Sequence, residues 1–209
     1  MSVLDKIAHF KNRRDEVPNQ QLARQLVESH DQDGIREIAE NLWNKDGNIQ
    51  SDCIKVIYEV GYLEPGLIAP YDGDFIRLLR NRDNRLVWGG MLALSTVAQV
   101  AADTLYPHIP EIQRAIQHGS VITKDAGVLT LAVIASTREE RRKEIFPFLL
   151  THLQTCRPKD VPQHAEKILK AVDAVNKEEF IEVLRKRLSD MSGAQAKRVN
   201  KAIREAEHR

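Results

Sequence analysis

An all-α stack of antiparallel helix pairs is the fold class this sequence predicts, on three observations. Residues 53–61 (CIKVIYEVG), 90–98 (GMLALSTVA) and 127–135 (GVLTLAVIA) match one another at a spacing of 37 residues. Apolar residues recur at helical spacing along the chain, and no segment alternates with the period of two that a half-buried strand shows. Polar breakers at 44–47 (NKDG), 81–84 (NRDN), 118–120 (HGS) and 157–160 (RPKD) fall where helix pairs must turn. A repeat of this length marks units that cannot bury their apolar face alone and therefore stack on their neighbours.

Taken in order, residues 1–33 read as an N-terminal cap with a helix over 18–29. Five helix pairs follow: 34–43 with 50–63, 72–81 with 84–100, 108–118 with 123–136, 139–156 with 162–175, and a closing cap pair, 177–189 with 194–207, within 176–209. The short connections make neighbours antiparallel. The second helices carry the repeat, and their shared slots define the expected core. These slots are Ile54, Met91 and Val128, then Ile57, Leu94 and Leu131, then Val60, Val97 and Ile134. A small residue closes each set at Gly61, Ala98 and Ala135. Cys53 stands where the other copies have Gly90 and Gly127, so it reads as a small packing residue rather than a reactive thiol.

A second mark repeats near the start of the first helix of each pair. Pro70 and Pro107 are 37 residues apart and Pro147 follows, each beside an aromatic residue or histidine. Proline is tolerated in a first helical turn, where its missing N–H would have had no partner. In this pattern the chain resembles the HEAT-repeat group, armadillo-type solenoids built from helix pairs of about 40 residues with a proline in the first helix. The resemblance is clearest in Leu105–Ile116 with 123–135, and in Phe75–Asp83 with Leu86–Leu94, and it extends over about 34–175. It implies a right-handed α-α superhelix of about five pairs, in one domain spanning 1–209, and it implies no particular activity. Trp88 departs from the group, standing where Arg is common, and Lys124 and Asp125 depart again in the next unit.

Composition is that of an ordinary globular chain, with 29% charged and 42% hydrophobic residues and a net charge of +1. No apolar run is long enough for a membrane span, and the N-terminus lacks a basic leader with an apolar core, so a cytoplasmic location is expected. Two cysteines about a hundred residues apart make no disulfide framework. The charge is uneven. Residues 1–136 carry 14 Lys and Arg against 18 Asp and Glu, and the remainder carries 17 against 12. A solvated cap accounts for the basic end, including Arg185–Arg187 and the set Lys197, Arg198, Lys201 and Arg204.

The stripe of the second helices opposite the core slots reads Gly89, Leu92, Ala93 and Thr96, then Ala126, Leu129, Thr130 and Val133, with Lys55 and Glu59 in the first copy. A helix apolar all round is normally covered. Cover by the N-terminal helices is the expectation, and an open apolar groove for an amphipathic helix or a second copy is the alternative. Contacts with a protein partner are expected at the rim, from Tyr58, Trp88, Lys124, Asp125, Gln163 and His164, and from a rigid basic loop at Arg157 and Lys159.

Trp88 and Asp125 also resemble, at a distance, the aromatic and carboxylate pair of HEAT-like DNA glycosylases. The stripe is poor in Lys and Arg, however, and duplex binding draws much of its affinity from phosphate neutralisation. Base excision is therefore the alternative to a non-catalytic interaction module or scaffold. His152, Cys156 and His164 have zinc-ligand chemistry at a spacing of four and eight residues, but no fourth ligand is evident, so no metal or other cofactor is expected. No phosphate-cradling loop and no nucleophile beside a base occurs in the sequence, so no enzyme is expected.

Overall fold

The computed structural model of the chain describes residues 2–209. Among them there is no β-strand, and no helix is long and apolar enough to cross a membrane. The helices are α1 (Val17–Glu28), α2 (Gln32–Glu40), α3 (Gly47–Leu63), α4 (Asp72–Leu78), α5 (Asn84–Val97), α6 (Ala102–Leu105), α7 (Ile109–His118), α8 (Val121–Thr137), α9 (Glu139–Thr155), α10 (Val161–Ile168), α11 (Lys177–Arg187) and α12 (Gly193–Glu207). Short 3-10 turns join several of them. The chain divides into two compact units, Met1–Gly127 and Val128–Arg209, with the boundary inside α8.

In the first unit, α3 and α5 are packed side by side, with α1 against α3 and α4 against α5. The second helices start at a repeated cap. Asp46 accepts from the Asn48 N–H and Asp83 from the Arg85 N–H, at 2.8 and 2.7 Å. Ser120 Oγ accepts from the Thr123 N–H at 3.3 Å. These three caps are 37 residues apart, so the repeat includes the residue that satisfies the orphan donors of each helix start.

Every shared slot is buried: Ile54 and its eight counterparts expose at most 1% of their surface. Gly61, Ala98 and Ala135 are buried with them. Cys53 is fully buried, and burial pushes its thiol far above the ordinary range. Its counterparts explain the need for a small residue. A Cβ on Gly90 would lie 2.9 Å from Leu78 Cβ and 3.1 Å from the Phe75 carbonyl, both on α4, and one on Gly127 would lie 2.5 Å from Ile116 on α7.

The N-terminal segment is tied down by buried polar groups. Asn19 at the start of α1 is fully buried; its side-chain oxygen accepts from the Ala8 N–H at 2.9 Å and its amide donates to Asp52 of α3 at 2.8 Å. Asp52 accepts the His9 N–H as well, at 2.7 Å.

In the second unit, α10 and α11 both pack on α12, and α9 packs on α10 and α11. Arg187, expected among solvated basic residues, is 9% exposed. Its guanidinium donates to the carbonyls of Leu153 and Cys156, the latter at 2.8 Å, and its Nε donates to Asp190 at 2.6 Å. It thus caps the C-terminal end of α9, where carbonyls lack helical partners and cations are favoured. The other basic residues of this end are largely held by acids. Arg198 forms a two-pronged pair with Glu166 at 2.8 and 2.6 Å, Arg185 reaches Glu207 at 3.2 Å and Lys186 reaches Glu182 at 2.6 Å.

The proline expectation holds for two of three positions. Pro70 and Pro107 lie in 3-10 turns leading into α4 and α7. Pro147 lies inside α9, eight residues past its start, because α9 begins at the acidic Glu139-Glu140 turn well before the proline. The helix expected over 162–175 is also shorter: α10 ends at Ile168 and a 3-10 turn closes at Ala171.

Candidate functional site

The expected rim residues fall into two groups, one in each compact unit. In the first unit, α3 and α5 bring Tyr58, Tyr62 and Trp88 into a row. The Tyr58 and Trp88 ring centroids are 6.2 Å apart and the Tyr58 and Tyr62 centroids 6.0 Å apart, both tilted or edge-on. Tyr58 is 4% exposed, so it supports the row from below and offers no contact surface. Trp88 is half-buried and Tyr62, which the sequence reading passed over, is 55% exposed. The spacing of Tyr62 four residues after Tyr58 was the signal: on a helix it places both rings on one face.

Charged groups hold this row in place. Lys55 is 6% exposed, and its ammonium pairs with Glu16 at 2.8 Å and Glu59 at 2.6 Å and lies 4.8 Å from the Tyr58 ring centre. Arg85 meets Glu16 at 3.5 Å and stands 6.0 Å over the Trp88 ring. Burial would push the Lys55 ammonium down, and the hydrogen bonds it donates to Glu16 and Glu59 more than reverse this, leaving it well above its ordinary value. Partial burial raises the Tyr62 phenol, and the negative charges of Glu59 and Asp125 add to this. Lys124 and Asp125, where the first turn of α8 passes into the second, are half-buried.

The inner stripe is covered in part. Gly89, Ala93, Ala126 and Thr130 are buried, whereas Leu92, Thr96, Leu129 and Val133 are half-buried. A Cβ on Gly89 would lie 2.6 Å from Ile54, so α5 meets α3 closely at that point. The N-terminal helix α1 lies on α3, the copy that carries Lys55 and Glu59; cover was expected over the apolar stripes of the middle two copies, where Leu92, Thr96, Leu129 and Val133 stay half-buried.

In the second unit, Arg157, Lys159 and Gln163 are exposed on the turn between α9 and α10 and the start of α10. Arg157 pairs with Asp160 at 2.7 Å, which offsets the basic character expected of this loop. His164 is 3% exposed and so is not a contact residue. It faces inward because α10 turns it toward α9, where its Nδ1 lies 2.9 Å from His152 Nε2 with the rings 4.8 Å apart. Cys156 closes the same corner, with one ligand-type atom of each of the three residues within 4.8 Å of the others.

Antiparallel helix pairs whose second helices share one recurring buried apolar face and one recurring cap define a helical-repeat fold of the solenoid class. Comparison with solved structures places the fold in the armadillo type. A designed armadillo repeat protein matches over 90% of this chain and 87% of its own, with a TM-score of 0.68 at 11% identity. Another designed armadillo repeat protein, in complex with the peptide (KR)4, matches over 90% of this chain and 85% of its own, with a TM-score of 0.66 at 14% identity. The armadillo-repeats-only protein of Plasmodium falciparum matches over 92% of this chain and 98% of its own, with a TM-score of 0.59 at 14% identity. Neither a protein-family model nor a curated protein sequence matches the chain.

Proposed function

We propose that this chain is a non-catalytic binding module that holds a protein segment on the aromatic row of its second helices, with Tyr62 and Trp88 as the anchors. The observation that carries this reading is the row itself. Two large aromatic side chains, one open to solvent and one half-open, sit on packed helices against the buried Tyr58, whose ring is held in turn by a buried ammonium between two carboxylates. Tyr and Trp bring large contact area at low entropic cost and dominate the energetic centres of protein interfaces. Lys124 and Asp125 join the contact surface, and Arg157, Lys159 and Gln163 form a second, separate contact patch. One of the structurally similar proteins was solved with a bound peptide, which agrees with this use of the fold.

The nucleic-acid alternative draws less support. Arg85 beside Trp88 and Lys55 beside Tyr58 are committed to Glu16 and Glu59, which weakens attraction for phosphate.

The test is capture from nuclease-treated lysate with wild-type protein and with Tyr62→Ala and Trp88→Ala. A partner that survives nuclease and is lost with Tyr62→Ala, at a melting temperature within about 2 °C of wild type, supports the reading. Capture that vanishes with nuclease, or that is unchanged in both variants, overturns it. Light scattering over a concentration series separates a foreign partner from a second copy of the chain.

A further inference from the structure

The corner between α9 and α10 places two imidazoles and a thiol together within thirteen residues of sequence, with the two histidines hydrogen-bonded to each other. His152 and Cys156 are one helical turn apart at the end of α9, so they project from the same face. His164 reaches them from the first turns of α10, after the 3-10 turn Pro158–Asp160 reverses the chain. We propose that His152, Cys156 and His164 form a binding site for a thiophilic d10 cation, zinc, with water as the fourth ligand.

The distances suit this ion. Zinc–nitrogen bonds of about 2.05 Å and zinc–sulfur bonds of about 2.3 Å in a tetrahedron set nitrogens about 3.3 Å apart and nitrogen from sulfur about 3.6 Å. His152 Nε2 and His164 Nδ1 stand 2.9 Å apart, so they open by about 0.4 Å to admit the ion. The upper limit of 4.8 Å on the three separations closes by about 1.2 Å at most, within the reach of side-chain rotation. Two imidazoles and one thiolate are the ligand types that zinc accepts, and the hard oxygen ligands that select magnesium or calcium are not the donors here. Binding exchanges the thiol proton of Cys156 for the metal–sulfur bond and releases it to solvent, and the proton of the His152–His164 hydrogen bond moves to the outer nitrogen of its own ring, so that each imidazole turns a lone pair to the ion.

The surroundings add orientation and access. Arg187 donates to the Cys156 carbonyl at 2.8 Å and to the Leu153 carbonyl, which fixes the backbone that carries the thiol. His164 is buried, while His152 and Cys156 are half-buried, leaving an open side for ion and water to enter. Three protein ligands with one open position is the arrangement of zinc sites that keep a solvent or substrate ligand.

The experiment uses the full chain, reduced and stripped of metal with a chelator, titrated with Co2+ as a spectroscopic probe and then with Zn2+. Wild type is expected to take up one Co2+ per chain with visible bands of tetrahedral intensity and a thiolate-to-cobalt charge-transfer band, all displaced by one equivalent of Zn2+. Cys156→Ser abolishes the charge-transfer band, and His152→Ala weakens Co2+ by more than the roughly 10–100-fold that loss of an outer-shell group costs. Both positions are half-buried, so these variants fold where His164→Ala need not. Zinc raises the melting temperature of wild type and leaves that of Cys156→Ser unchanged. Absence of tetrahedral bands in wild type overturns the proposal. So does a charge-transfer band that persists in Cys156→Ser, since it would place the metal at Cys53.

Discussion

Lys55 shows how a single charged residue can be structural and still shape a surface. An ammonium taken out of water costs several kcal/mol, and here it recovers this through Glu16, Glu59 and the Tyr58 ring. Replacing the whole interaction with apolar volume is cheap, whereas stranding the charge is not. The triple variant Lys55→Met, Glu16→Gln, Glu59→Gln removes every charge of the cluster and is thus expected to change unfolding free energy by about 1 kcal/mol or less, and Glu16→Gln combined with Glu59→Gln, which strands the ammonium, to lower it by about 2 kcal/mol, a value kept small because Glu16 is 45% exposed. Urea unfolding of the three proteins checks the order, and equal losses would show that the pair carries no net burial cost. The sequence places Lys55 and Glu59 on the stripe but gives no hint of Glu16, which comes from before α1 and meets them only through the packing of α1 on α3. Arg187 was hidden in the same way: a basic residue in a basic run reads as solvated until the end of α9, more than thirty positions earlier, supplies two carbonyls for it to cap.

At the scale of the helix, the repeat is a set of packing rules enforced by small residues. The slot occupied by Cys53, Gly90 and Gly127 faces the first helix of its own pair, and the two glycines leave no room for a methyl group. Gly90→Ala gains up to about 1 kcal/mol in helix propensity. It also forces a Cβ to 2.9 Å from Leu78 Cβ and 3.1 Å from the Phe75 carbonyl, neither of which is a flexible chain end. The overpacking cost of about 1–3 kcal/mol wins, so the variant is destabilised. Gly73 in α4 meets nothing within 4 Å, and Gly73→Ala is expected to stabilise by up to about 1 kcal/mol. Opposite signs in the urea midpoints of these two variants are the check; stabilisation of both would mean that propensity alone governs the helices. The core slots were legible because helical spacing and the 37-residue period point to the same residues. The caps Asp46, Asp83 and Ser120 obey that period too and could have been found by extending the comparison upstream of each copy. Pro147 obeys the proline spacing only loosely, and the helix read over 139–156 already places it inside α9, since a proline marks a helix start only when no earlier cap or acidic turn has begun the helix.

For the whole molecule, the titratable groups set the pH range over which the stack is stable. Backbone hydrogen bonding by the Asn48 N–H holds the Asp46 carboxyl below its ordinary value, and the hydrogen bond from Arg198 does the same for Glu166. Glu111 is held low against partial burial by hydrogen bonding that includes Arg80. A carboxylate whose folded value is depressed stabilises the fold above its unfolded value, and this contribution disappears as pH falls through the folded value. Stability therefore declines below about pH 4.5, the range in which unfolded carboxyls take up protons. Cys53 works in the opposite direction. Burial raises its thiol, so its neutral form is no burden below the ordinary thiol value, and stability is lost as pH rises above about 8.5, where the unfolded chain ionises and the folded chain does not. The urea midpoint is accordingly expected to be flat between about pH 5.5 and 8 and to fall on both sides. Cys53→Ala leaves the acid limb unchanged and removes the thiol's share of the alkaline decline, whatever it costs in overall stability. An alkaline limb identical in wild type and Cys53→Ala would assign the decline to the tyrosines, of which Tyr58 and Tyr62 are likewise raised by burial.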